Sequence, residues 1–125
     1  MKSVLYWLAT GIIVAELFVG GIADLLRARW ASEVMIHLGY PLYMMTILGF
    51  WKVLAAVALV FPRINRIREW AYAGTVFELT GAAASHLLRG DGLAAAVAPS
   101  VFTLLTFLSW ILWNERTSKV LSTRG

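Results

Sequence analysis

The sequence predicts an all-α membrane protein, a bundle of four transmembrane helices joined by short loops. Three observations predict it. The chain is 60% hydrophobic and 14% charged, against about 45–50% and about 25% in soluble domains. A soluble domain of 125 residues has too little interior to hide that much apolar surface. Four apolar segments, each near the ~20 residues that cross a bilayer core, take up most of the chain, and only short loops remain between them.

The segments run from about 4 to 26, 42 to 61, 70 to 88 and 93 to 113, and together form a single domain. Backbone groups in lipid must bond within their own segment, so helices are the expected form. A soluble helix needs a polar stripe along one face. Leu93 to Trp113 has no charged residue and Leu42 to Phe61 has only Lys52, so neither can carry such a stripe. The first segment begins like a signal peptide, but Glu16 interrupts the apolar run and no small-residue cleavage site follows, so it is expected to stay.

Lys and Arg counts predict the orientation. Lys2, Arg63, Arg66, Arg68, Arg116, Lys119 and Arg124 fall on one side, Arg27, Arg29 and Arg89 on the other. That excess puts both termini on the cytoplasmic side. Tyr6, Trp7, Trp70, Tyr72, Trp110 and Trp113 are expected to form an inner aromatic belt, and Trp30, Tyr40 and Tyr43 an outer one. The net charge of +4 is thereby explained by topology, and nucleic acid is not expected as a partner; the lipid bilayer is.

The connections follow from turn chemistry. Residues 27–41 make the longest outer loop, in which Trp30, Val34, Ile36, His37 and Leu38 favour a short helix on the membrane surface. Gly39-Tyr40-Pro41 reads as a turn, Phe61-Pro62 ends the second span, and Gly90-Asp91-Gly92 is a tight turn before the fourth. Pro99 is expected to kink the fourth helix or mark its start. Thr103, Thr106 and Ser109 are expected to bond back to helix carbonyls.

Ionisable residues inside the spans are the strongest functional signal. Each costs at least roughly 2.5–3.5 kcal/mol to insert, so such residues face the bundle interior and find partners. Glu16, Lys52 and Glu78 each lie about ten residues from the outer end of their span, which at ~1.5 Å per residue puts all three near mid-bilayer. They are expected to form one buried network. Asp24 and His86 each lie eight residues further out and are expected to pair near the outer surface, with Tyr40, Tyr43 and His37 above them and Trp51 beside the cavity. The bland alternative is that the charges only lock the helices together. Gly20-Gly21 and Gly81-Ala82-Ala83-Ala84-Ser85 are small surfaces suited to close helix packing.

There is no cysteine, which excludes disulfide exchange, cysteine-ligated iron–sulfur clusters and thioester chemistry. No metal site is expected from two histidines, one of them in a loop. No cofactor or redox centre is encoded by the residues themselves.

Several stretches carry a family resemblance. They are Leu38-Gly39-Tyr40-Pro41, Ile47-Leu48-Gly49-Phe50-Trp51-Lys52-Val53-Leu54-Ala55-Ala56, Glu69-Trp70-Ala71-Tyr72-Ala73-Gly74 and Phe77-Glu78-Leu79-Thr80-Gly81-Ala82-Ala83-Ala84-Ser85-His86. On these the sequence resembles the DoxX-like family of small bacterial membrane proteins. The resemblance covers nearly the whole chain, specific in the second and third spans and loose in the fourth. It implies a four-helix bundle in the bacterial inner membrane. It also implies an association with redox complexes, since the family's namesake is a membrane subunit of a thiosulfate:quinone oxidoreductase. Family members often show Asp where Glu78 stands.

Three function classes follow. The first is a redox-associated subunit holding a quinone in the bundle, with Glu78, Lys52 and His86 as polar anchors and a redox partner subunit supplying electrons. The second is a small proton-coupled transporter or relay, which needs a homodimer to widen its path. The third is a non-catalytic assembly factor. Nothing in the residues alone assigns a reaction.

Overall fold

In the computed structural model the described residues are 2–61 and 65–124, with side chains as far as residue 118. They form five helices and no strand: α1 (Lys2–Leu25), α2 (Arg29–Leu38), α3 (Tyr43–Val60), α4 (Asn65–Leu88) and α5 (Leu93–Arg124). The four long helices pack in a ring, α1 beside α3, α3 beside α4, α4 beside α5 and α5 beside α1, so α1 and α4 lie diagonally opposite. Three of them, Lys2–Leu25, Tyr43–Val60 and the Leu93–Ser118 part of α5, are long and apolar enough to cross a membrane. The expected fourth span, α4, lies in the same ring but is less apolar, because residues 70–88 include Glu78, His86, Ser85, Thr75, Thr80, Gly74 and Gly81.

The core mixes large side chains such as Ile13, Leu17, Met45 and Leu59 with small ones, and bulky apolar residues also cover the outside. The small ones include Ala9, Ala56, Ala71, Thr10, Thr75, Thr106 and Ser109, all buried. Phe18, Phe50, Phe77 and Leu104 face outward, Phe77 being 74% exposed. Water would penalise that arrangement over so large an area; hydrocarbon does not. The chain is a multi-pass membrane protein on this surface and its three apolar helices.

One contact sets the register of α1 against α3. A Cβ on Gly49 would lie 2.7 Å from the Gly21 carbonyl oxygen, and a Cβ on Gly21 would lie 3.0 Å from the Gly49 oxygen. Both positions are therefore restricted to glycine by backbone approach, the close packing expected of Gly21.

Three helix ends use one motif. Gly39, at φ 85°, ends α2, with its N–H donating to Ile36 O and that of Tyr40 donating to Met35 O. Gly90, at φ 82°, ends α4 with the same pair of bonds to Leu87 and His86. Arg27 closes α1 likewise at φ 52°, although it carries a side chain. These left-handed closures satisfy carbonyls that a helix end leaves open. The turn at Gly39-Tyr40-Pro41, the turn at Gly90-Asp91-Gly92 and the short helix in the first loop are as expected. Pro62 and Arg63 lie outside the described residues, as do the side chains of Lys119 and Arg124.

Pro99 neither starts nor ends a helix: α5 runs through it from Leu93. It sits in the second turn, where its missing N–H leaves only the Ala95 carbonyl without a helical donor. Thr103 and Thr106 donate to Pro99 O and Phe102 O, as expected. Ser109 does not bond back; it bonds Thr10 Oγ1 at 2.6 Å and Tyr72 Oη at 2.7 Å, joining three helices.

Gly49→Ala is expected to push α1 and α3 apart and destabilise the bundle by about 1–3 kcal/mol, the usual cost of overpacking. Gly74→Ala, whose Cβ would meet nothing within 4 Å, should leave stability unchanged or raise it. Thermal melts of both variants in one detergent check this.

Candidate functional site

Lys52 is the centre of the buried charge. Its Nζ lies 3.1 Å from Asp24 Oδ2 and 3.2 Å from Glu78 Oε1, and all three side chains are mostly buried. One ammonium thus ties α1, α3 and α4 together. Glu16 is in the same cluster, its Oε1 and Lys52 Nζ each 3.6 Å from the position of a Cβ on Gly20. Among the described residues it makes no ion pair, however, and Glu16 Oε2 and Glu78 Oε2 are both buried with no hydrogen-bond partner.

The network therefore differs from the expected one in one member. Asp24 pairs with Lys52, and His86 does not bond it. The depth argument counts along the bundle axis and ignores the ring, in which α1 and α4 are diagonal. The Gly21–Gly49 crossing brings Lys52 within reach of Asp24. A Cβ on Gly21 would lie 3.0 Å from Lys52 Cβ, and one on Gly49 would lie 3.0 Å from Asp24 Cβ, so Lys52 stands between Glu16 and Asp24 along α1. The long Lys stem spans the rest of the distance to Asp24, as such stems do.

His86 has another partner. Its Nδ1 donates to Asp91 Oδ2 at 2.7 Å, and His37 Nε2 donates to Asp91 Oδ1 at 2.6 Å. Asp91 was read only as part of a turn; an acid five residues after a histidine, across a helix end, was the available signal. Tyr40 Oη and Ser85 Oγ are 2.5 Å apart. These bonds clasp α2 and its following turn onto the outer end of α4. The hydrogen bonds from His86, then His37, hold the Asp91 carboxyl below its ordinary value of 3.8. Tyr43 faces outward. Among the described residues, no group of three or more His, Asp or Glu could hold a metal.

The end where α1 begins holds a second buried charge, Arg68, which the loop count places outside the bundle. Arg68 is 1% exposed. It donates to Leu59 O at 2.9 Å and to Tyr6 Oη, and its Cζ lies 5.8 Å from the Tyr6 and Tyr72 ring centres and 5.3 Å from that of Trp113. The guanidinium satisfies a carbonyl in the last turn of α3 and sits among ring faces that attract cations. Tyr6, Tyr72 and Trp113 consequently belong to the core and not to the inner belt, whereas Trp7, Trp70 and Trp110 are exposed.

Between α3 and α4 lies a cleft of ≈ 530 Å³. Small residues make it: Ala55 and Ala58 on α3, Ala71 and Gly74 on α4. Trp51 and Trp70 line it as well, and its polar members are Lys52, Thr75 and Glu78. An apolar cleft of this size with a few converging polar groups has the usual form of a small-molecule site. Glu16, Asp24 and His86 do not line it.

A model of the DoxX-like family matches residues 8–109. The chain belongs to the DoxX-like family. The match takes in the cleft, the Lys52 network and the clasp of this DoxX-like protein. No curated protein and no solved structure matches the chain.

Lys52→Met is expected to leave three carboxylates without their cation and to destabilise the bundle by about 3–5 kcal/mol. Adding Asp24→Asn and Glu78→Gln to the same chain should recover much of that loss in a melting experiment. The clasp carries its own pH dependence. A carboxyl whose value is lowered by folding contributes stability above its unfolded value and loses it as pH falls through the folded one. Amide exchange in residues 85–91 is therefore expected to stay slow at neutral pH and to quicken only below about pH 3.8, while Asp91→Asn should be fast throughout.

Proposed function

We propose that this DoxX-like protein is a small membrane subunit that holds a lipid-soluble ligand of the quinone class in the α3–α4 cleft. The observation that carries the reading is the cleft itself, apolar along its walls and ending at Lys52 and Glu78. Glu78 and Lys52 anchor the head group, and Trp51, Trp70 and the alanines receive the ring and the start of the tail. Electrons reach the ligand from a partner subunit, because this chain has no cysteine to ligate an iron–sulfur cluster. His86, bound to Asp91 outside the cleft, serves the clasp and not the head group.

All four long helices cross the bilayer in this reading. α4 is carried by its neighbours: Arg68 bonds Leu59 O and Tyr6 and lies among ring faces, and Glu78 pairs with Lys52. Lys2, Arg66 and Arg116 stand at the end where Lys2 meets Glu115 at 3.2 Å, and Arg27, Arg29 and Arg89 at the other. With Arg68 removed from the loop count and Arg63, Lys119 and Arg124 of the sequence included, six basic residues stand against three, so both termini face the cytoplasm of a bacterial inner membrane.

A second reading, a proton-coupled relay, draws on the two layers of ionisable groups, the Lys52 network and the His37–Asp91–His86 clasp. It requires proton flux across vesicles holding the purified protein.

Short-chain quinone analogues are expected to raise the melting temperature of the wild type, with about 2.7 kcal/mol of stabilisation at a hundredfold excess over Kd. Gly74→Leu fills the cleft from a position where a Cβ meets no atom within 4 Å, and should abolish the shift without lowering the unliganded melting temperature. An unchanged wild-type melt with every analogue, together with proton flux, would replace this reading with the relay.

A further inference from the structure

The polar end of the cleft has more acceptors than donors. Glu78 and Lys52 line it, and Asp24 and Glu16 stand behind them in the same cluster, three carboxylates about one ammonium. Two of the three N–H groups of Lys52 point at Asp24 and Glu78. The Thr75 hydroxyl, also on the cleft wall, already donates to Ala71 O at 2.7 Å. Glu78 Oε2, by contrast, has no partner. The last torsion of a Glu side chain is broad, so a partial turn brings this oxygen toward the cleft that Glu78 lines.

Resting on the reading of the cleft as a quinone-class site, we infer that it selects the reduced hydroquinone over the oxidised quinone. A quinone head offers only carbonyl oxygens. It can accept the remaining Lys52 N–H, but it leaves the buried Glu78 oxygen without a donor and sets lone pairs against a carboxylate. A hydroquinone hydroxyl both donates and accepts. It gives its hydrogen to Glu78 and takes one from Lys52, satisfying both groups. A donor to a buried carboxylate makes one of the stronger hydrogen bonds available to a ligand, and leaving such an acceptor unsatisfied carries its full desolvation cost.

The test compares three probes built on one ring on the purified full chain in detergent under anaerobic reducing or matched oxidising conditions. They are a short-chain hydroquinone, its quinone, and the hydroquinone dimethyl ether, which has the same ring and no donor. The hydroquinone is expected to bind about tenfold more tightly than the other two. In Glu78→Gln the preference should shrink to about twofold, since an amide can both donate and accept. Gly74→Leu should bind none of the three. Quinone or ether binding as tight as the hydroquinone in the wild type would overturn the selection while leaving the cleft as the site. Failure of all three probes to bind the wild type would overturn the site as well. Because the comparison among probes is made on the unmutated protein, the outcome does not depend on whether a variant folds.

Discussion

Two glycines facing each other decide where the charges of this protein meet. Gly21 and Gly49 bring the backbones of α1 and α3 to within the space of one carbonyl. The crossing fixes the register of two antiparallel helices, and that register sets Lys52 between the levels of Glu16 and Asp24. From there one flexible side chain reaches outward to Asp24 and across to Glu78, so a single ammonium joins three of the four long helices. Any larger residue at either glycine would separate the helices and change which carboxylate the lysine can reach.

The bundle obeys the same economy of small residues. Where helices approach most closely it places Gly, Ala, Ser and Thr, with Ile13, Leu17, Met45 and Leu59 filling the rest of the core. Without a hydrophobic drive between helices in lipid, association rests on close packing and polar bonds. The polar bonds are present at three levels. Arg68 and its aromatic rings hold the inner end, with Thr10, Ser109 and Tyr72 stacked beside them. The Lys52 network holds the middle, and the Asp91 clasp holds the outer end.

Close packing is not uniform, and the cleft exists because of the exception. On the α3–α4 seam the facing residues are as small as elsewhere, but the helices stand apart and the alanines leave space between them. The cation that holds this seam sits at one end of that space. The groups that tie α4 into the bundle are thus the groups that a ligand in the cleft would meet, so ligand binding and bundle stability are coupled through Lys52 and Glu78.

Much of this was determined by the sequence alone. Helices follow from apolar runs in a solvent that cannot bond a backbone, and their ends follow from Gly39 and Gly90, which adopt left-handed conformations without strain. The common depth of Glu16, Lys52 and Glu78 follows from counting residues at a fixed helical rise. Counting along an axis says nothing about which helices are neighbours, and there the tertiary structure decided. The ring order set Asp24 and His86 on a diagonal and gave each a different partner. It turned Arg68 from a loop charge into a buried one and drew Tyr6, Tyr72 and Trp113 inward around it. The cleft was equally beyond the sequence, because it arises where two faces of small residues stand apart, and that distance is set by every other contact in the bundle.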